Sequence, residues 1–260
     1  KGNIPVLELP VDFQRPAVLT HRGGRVRGII DPEKYRQLLQ LTLSYNTSLY
    51  TVLLALSKAL LYRYTGQKEI IVGYPISMRD HTDLENQVGF YLNTLPLKTE
   101  IEGDNSFIEV LQKVNEGMLL NHAHQLYPFE KIVSGLGFSG NTSRSPLFDV
   151  VVVLQNLQIH KQAVTELDDL TIDLYDVEQV TSSIDLRLEF LERADHIVIH
   201  FDYNRGLFKP ATIQVFMDRF LAMLEQAVKD PQINIDEFIF KHDSNLQLNN
   251  NIGSHFSIKF

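Results

Sequence analysis

The segment Ser143-Arg-Ser-Pro-Leu-Phe-Asp-Val-Val-Val-Val-Leu-Gln-Asn156 constrains the fold more than any other part of the chain. Its run from Val150 to Leu154 is unbroken by a polar residue and mostly β-branched. β-Branched side chains fit a pleated surface, and an unbroken apolar run belongs to a strand covered on both faces in the middle of a sheet. The chain therefore needs a sheet with material on both sides of this strand. Polar residues mark its two ends, Arg144 with a Ser-Pro turn before it and the amides Gln155 and Asn156 after it. From the residues alone this is a core strand with a capped exit, and amides at such an exit also suit the rim of a cleft.

The rest of the chain supplies the layers. Pro5, Pro10 and Pro16 make residues 1–20 an extended, irregular lead-in. Arg22-Gly-Gly-Arg-Val-Arg-Gly28 reads as a basic turn leading into a short strand at 26–30. It lacks both the G-x-x-x-x-G-K and the G-x-G-x-x-G spacing of a phosphate loop. Asp31-Pro32-Glu33 starts a helix running to about Tyr45: a capping carboxylate, a proline at the first helical position, and an acid in the first turn. A second helix starts near 47–48, with Leu49, Val52, Leu53, Leu56 and Leu60 at helical spacing, and Gly66 closes it.

Strands are expected at 69–74 and 89–98, a helix at 105–120, and a short helix from Pro128 to Val133. Residues 157–167 read as a polar connection, 170–175 and 184–191 as alternating strands, and 194–203 as a hairpin return. The last clear helix runs from Pro210 to about Lys229. Strands both alternate with helices and follow one another directly, which implies a layered α/β sandwich with a mixed sheet. Residues 21–240 form one unit, and the Asn-rich stretch 241–260 reads as a linker or disordered tail.

Composition excludes several functions. A net charge of −8 argues against nucleic acid as the main partner, because phosphate binding needs clustered Lys and Arg. The absence of cysteine removes disulfides and thiolate metal sites, and is compatible with the cytoplasm. No apolar run approaches a membrane span, so no membrane partner is expected. Metal is not expected either: His196 and His200, four residues apart on a strand, lie about 13 Å from one another, and His122 and His124 suit a helix C-terminus. No G-x-S-x-G elbow accompanies the serines.

Three segments carry a resemblance, in order. Val88-Gly-Phe-Tyr-Leu-Asn-Thr-Leu95 is similar to an I-G-x-F-x-N-T-L motif, His124-Gln-Leu-Tyr-Pro-Phe-Glu-Lys-Ile-Val133 to H-Q-x-x-P-F-E-x-x-V, and Arg144–Asn156 to R-x-P-L-F-(D/E)-V followed by an aliphatic strand and Gln-Asn. Together they resemble condensation domains of nonribosomal peptide synthetases, from Leu9-Pro-Val-Asp12 to roughly Phe240. That family's catalytic H-H-x-x-x-D-G appears nowhere among the nine histidines. The resemblance therefore implies the C-terminal lobe of a condensation domain with the chloramphenicol-acetyltransferase-like fold, inactive by itself because the histidine motif belongs to the other lobe.

The implied reaction is amide formation between a donor acyl or peptidyl thioester and an acceptor aminoacyl thioester. Both are carried on phosphopantetheine arms, with no cofactor bound directly. Implied partners are the N-terminal lobe, the carrier proteins and a neighbouring adenylation domain. Arg79 would support the active site by pairing with the aspartate of the absent motif, a bidentate contact that keeps the carboxylate ionised. From the residues alone, Arg79 pairs with Asp80 or Asp83. Asn93, Gln155 and Asn156 are candidates to line a tunnel, and Asn93 serves equally as a structural amide. Arg144, Asp149, His124, Pro128, Phe129 and Glu130 are structural motif residues. Two other readings remain at this point: a non-catalytic recruitment module with the same fold, or an epimerization or acyltransferase relative.

Overall fold

The computed structural model describes residues 4–79, 81–137, 142–156, 164–167, 170–173 and 180–240. Six strands form one mixed sheet: β1 (Gly23–Ile30), β2 (Glu69–Ser77), β3 (Leu92–Glu100), β4 (Val150–Gln155), β7 (Leu186–Glu192) and β8 (Ile197–Asn204). Their order is β1-β8-β7-β4-β2-β3. A separate antiparallel pair joins β5 (Val164–Leu167) to β6 (Leu170–Asp173). The expected polar connection at 157–167 thus ends in a strand, and the tail at 241–260 lies outside the described residues.

The valine-rich strand is β4, and it sits in the middle, parallel to β2 on one side and to β7 on the other. Its side chains alternate between two apolar clusters. Val150 and Val152 enter the main core, while Val151 packs with Ile71, Leu147 and Phe148 on the opposite face. That division explains why the run has no polar position.

The first face is covered by helices α1 (Pro32–Ser44), α2 (Leu49–Thr65), α4 (Phe107–His122) and α6 (Pro210–Lys229). Capping behaves as the sequence dictates. Asp31 accepts from the Lys34 amide, Ser106 and Glu109 form a reciprocal capping box, and Gly66 ends α2 in the left-handed conformation at φ 65°. The box moves the start of α4 from the expected 105 to Phe107. α2 exceeds expectation: every residue from Thr51 to Leu61 is buried, so the helix is enclosed all round instead of on one stripe. The second face carries α5 (Phe129–Leu136) over β2 and β4, and charged side chains over β7, β8 and β1.

Other boundaries differ for local reasons. Gly23 and Gly24 lie inside β1, not in a turn before it. A Cβ on Gly23 would stand 2.5 Å from the Thr181 backbone, and one on Gly24 2.6 Å from the Tyr203 ring. The glycines therefore serve close approach of neighbouring chain. β2 runs on to Ser77, and β3 begins at Leu92 rather than 89, because α3 (Thr82–Glu85) and a loop occupy the intervening residues. Pro128 caps α5 instead of opening it, and the helix continues to Leu136.

Candidate active-site edge

β2, β4 and β7 are parallel, so their C-terminal ends emerge at one edge of the sheet. In open α/β sheets, ligands gather outside that edge. Ser77 and Arg79 leave it from β2, Gln155 and Asn156 from β4, and Leu92 and Asn93 enter it at the start of β3, with Asn93 opposite Ile76.

Asn93 is buried, and its side chain makes four hydrogen bonds. Its amide donates to the carbonyls of Gln125 (2.8 Å) and Tyr127 (2.9 Å), and its oxygen accepts from the amides of Thr94 (3.0 Å) and Phe129 (3.3 Å). β3 is an edge strand, with α4 on one face and α5 on the other. Asn93 thus holds the loop as it rounds that edge. Phe129, delivered by the same loop, stacks on Phe148 with centroids 5.3 Å apart. The three motif segments are therefore one physical unit: Asn93 binds the second, and the second packs on the third.

Phe148 reaches this position through strain beside it. Leu147 has φ 70°, and the Phe148 amide donates to the Pro146 carbonyl at 2.9 Å, a tight γ-turn that L-residues adopt rarely. The ring then closes over Gly73, where a Cβ would stand 2.4 Å away.

Arg79 folds back over its own loop. Its guanidinium donates to the carbonyls of Leu84 and, at 2.7 Å, Gln87, and lies 4.3 Å above the Tyr91 ring. His124 borders a cavity of about 280 Å³ with Leu95, Pro96, Asn121, Tyr127 and Ile132. Glu130 sits in the first turn of α5, where an acid complements the helix N-terminus. By strand alternation Asn93 shares the first face with Leu95 and Leu97, whereas Gln155 shares the second with Val151. The structure brings these two amides to one edge but not to one face. Among the described residues, no group of three His, Asp or Glu side chains could hold a metal ion, and no helix is long and apolar enough to cross a membrane.

Arg144 and Asp149 belong to a different cluster, at the opposite end of β4. Arg144 binds Asp149 at 2.6 Å, Glu8 at 2.7 Å and the Leu7 carbonyl at 3.0 Å. Arg15 binds both oxygens of Asp185 and, at 2.9 Å, the Ser143 carbonyl. The lead-in is thereby bolted to the sheet. Sequence reading missed Arg15 and Asp185, since nothing local links residues so far apart. Burial and the nearby Asp185 push the Asp149 carboxyl up to about 6, against the pull of Arg144 and Arg15.

A carboxyl raised in the folded state stabilises it below the unfolded value, and loses that contribution as pH rises through about 6. Asp149→Asn should remove this dependence while keeping an acceptor for Arg144. The gap in unfolding free energy between chain and variant should move by about 2–3 kcal/mol from about pH 4 to about pH 7, with Asp149 favoured at acid pH. Urea titrations at several pH values check this, and parallel profiles would contradict it.

The family model described as "Condensation domain" matches residues 1–248. Tyrocidine synthase 3 of Brevibacillus parabrevis is 37% identical over 239 residues, 91% of this chain and 4% of that protein. Bacitracin synthase 1 of Bacillus licheniformis is 33% identical over 237 residues, 91% of this chain and 4% of that protein. The chain thus spans a small part of these relatives. Among solved structures, the X-domain from teicoplanin biosynthesis superposes with a TM-score of 0.82 at 27% identity, covering 90% of this chain and 53% of that one. The first condensation domain of the CDA synthetase does so at 0.70 and 20% identity, covering 88% and 49%, a likeness of fold.

Proposed function

The chain belongs to the condensation-domain family, and from that premise we propose that it supplies the C-terminal lobe of a site that joins two carrier-bound substrates through an amide bond. The observation that carries this reading is the contact of the three motif segments, Asn93 to the loop at 125–129 and Phe129 to Phe148, beside the C-terminal ends of the parallel strands.

In this reading, the amine of an aminoacyl thioester attacks the carbonyl of a donor thioester. A C–N bond forms, the C–S bond breaks, the thiolate leaves on its phosphopantetheine arm, and the amine's proton passes to a histidine of the H-H-x-x-x-D-G motif. General base help of this kind is worth about 10²–10⁴-fold. Holding both thioesters in one tunnel converts a two-body encounter into an oriented one, which can contribute more. This lobe forms one wall, with Gln155 and Asn156 at its rim, and Arg79 turns from its loop carbonyls to the motif's aspartate when the other lobe is present. Carrier proteins and an adenylation domain are its partners, and without the N-terminal lobe it makes no amide.

The test supplies the chain with a lobe bearing H-H-x-x-x-D-G and two loaded carriers, and follows the amide product by mass spectrometry. Product from the pair but from neither lobe alone is expected, and no product from a pair whose uncut domain is active would overturn the reading. Arg79→Ala in the completed domain should lower the rate by about ten- to a hundredfold through misplacement of the motif. An unchanged rate would remove Arg79 from this role. The likeness to the X-domain, solved also in complex with OxyB, favours a second reading as a recruitment module. Capture of an oxygenase together with no amide product would support that reading over the first.

A further inference from the structure

The lead-in is held more tightly than a linker between folded units needs to be. Such linkers run over the surface, where few contacts cross. Residues 6–19 are instead pinned from four separate places. Gln67, just past α2, clamps the strap in both directions: its amide donates to the Val6 carbonyl at 2.9 Å, and its oxygen accepts from the Glu8 amide at 2.7 Å. Leu7 and Leu9 are buried in the main core, and Arg144 holds the Leu7 carbonyl at 3.0 Å. Asp12 reaches the start of α6, where its carboxylate accepts from the Lys209 amide at 2.8 Å and the Thr212 hydroxyl at 2.9 Å. Lys209 makes no side-chain capping bond of its own, so the strap caps that helix from outside. Arg15 is fixed to Asp185 and Ser143, and the Leu19 amide donates to the Thr142 carbonyl at 2.8 Å. Pro10 and Pro16 remove backbone freedom between the pins.

Gln67, Arg144 and Asp185 stand just before β2, β4 and β7. Those strands are parallel, so the strap crosses the edge of the sheet opposite the motif edge. We infer that the strap fixes how a preceding lobe is seated on this one, and leaves any bend between the two to the chain before residue 4. Asp12, Arg15 and Gln67 are then positioning residues for amide formation, acting through the covalent junction and not through the substrate. This rests on the condensation reading, since it requires a lobe on the N-terminal side. Strap and motif edge lie at opposite ends of the same strands. A loosened strap therefore misplaces the two walls of the tunnel while leaving each wall intact, and small misplacements are costly where reacting groups must be aligned.

The test combines Asp12→Ala with Gln67→Ala, two changes outside the core. In this chain, hydrogen exchange at the Glu8 and Asp12 amides should accelerate at least about tenfold, with the β4 amides unchanged. In the uncut domain, turnover at saturating loaded carriers should fall about three- to tenfold. With the two lobes supplied as separate chains, the same variant should lose nothing, because the strap no longer carries the other lobe. Equal losses in both formats overturn the inference, as do strap amides exchanging at the wild-type rate or full turnover in the uncut variant. Spin labels, one on each lobe of the uncut domain, follow lobe separation without catalysis, and this lobe has no cysteine to compete for the label. A broader distance distribution in the variant supports the inference, and an unchanged one overturns it. Absence of amide product from the uncut wild type sinks the condensation reading, while the distance measurement still decides the strap. If the double variant fails to fold by its spectrum, Asp12→Asn carries the same comparisons.

Discussion

Lys58→Ala should destabilise the fold by about 3–5 kcal/mol, and Lys58→Met by about 1–3 kcal/mol. Lys58 is fully buried in α2, where Nζ donates to the carbonyl of Ile70 on β2 at 2.9 Å and to that of Leu97 on β3 at 2.7 Å. Alanine leaves a cavity and deprives both carbonyls of a donor, whereas methionine fills most of the space and loses only the donors. The ordering Ala, Met, wild type in urea midpoints is therefore the expected result. A buried amine can also be a net burden, since desolvation opposes the charged form. Methionine as stable as lysine would show that burden cancelling the two hydrogen bonds.

The pH dependence separates these effects. Burial holds the Lys58 amine well below its ordinary value. The unfolded chain then binds the proton more readily than the folded one, so stability rises with pH between the folded value and the ordinary value of about 10.4. Lys58→Met should lose this upward slope. The slope has the opposite sign to that of Asp149, so the two variants bend the stability profile in opposite directions. Identical slopes in Lys58→Met and wild type would refute the assignment.

How much of this was legible depended on whether the physical cause was local. α6 begins at Pro210 and ends at Lys229 as read, because a proline at the first position and apolar spacing are local facts. The central place of β4 followed from a run of valines that no half-exposed strand tolerates. Lys58 was not singled out, although Ser57-Lys58 stands between Leu and Ala on every side of the helix, which is the mark of a helix enclosed all round. Arg15 and Asp185 were illegible because their pairing depends on the path of the lead-in across the sheet. The resemblance named the three motif segments, but only the fold shows why they belong together: an amide, a turn and an aromatic pair form one junction.

That junction gives the largest local effect expected at the candidate site. Asn93→Ala removes four hydrogen bonds from a buried position and should cost about 2–4 kcal/mol. Asn93→Asp nearly preserves the shape, yet it should cost at least as much. The side-chain nitrogen that donates to Gln125 and Tyr127 becomes a carboxylate oxygen facing two carbonyls, and an ionised carboxylate has no donor to offer. Protonation restores one donor, so the gap between Asp and Asn should narrow as the solution is acidified. Loss of the clamp should free the loop rather than the sheet. Hydrogen exchange at the amides of Gln125, Tyr127 and Phe129 should accelerate in both variants, while the β2 amides stay protected. In a completed domain, amide formation should fall with loop protection, since Phe129 no longer holds its place on Phe148. Gln155→Ala provides the contrast, because Gln155 lies on the other face: activity lost with the loop still protected would place it at the substrate, whereas unprotected loop amides would make it part of the same scaffold.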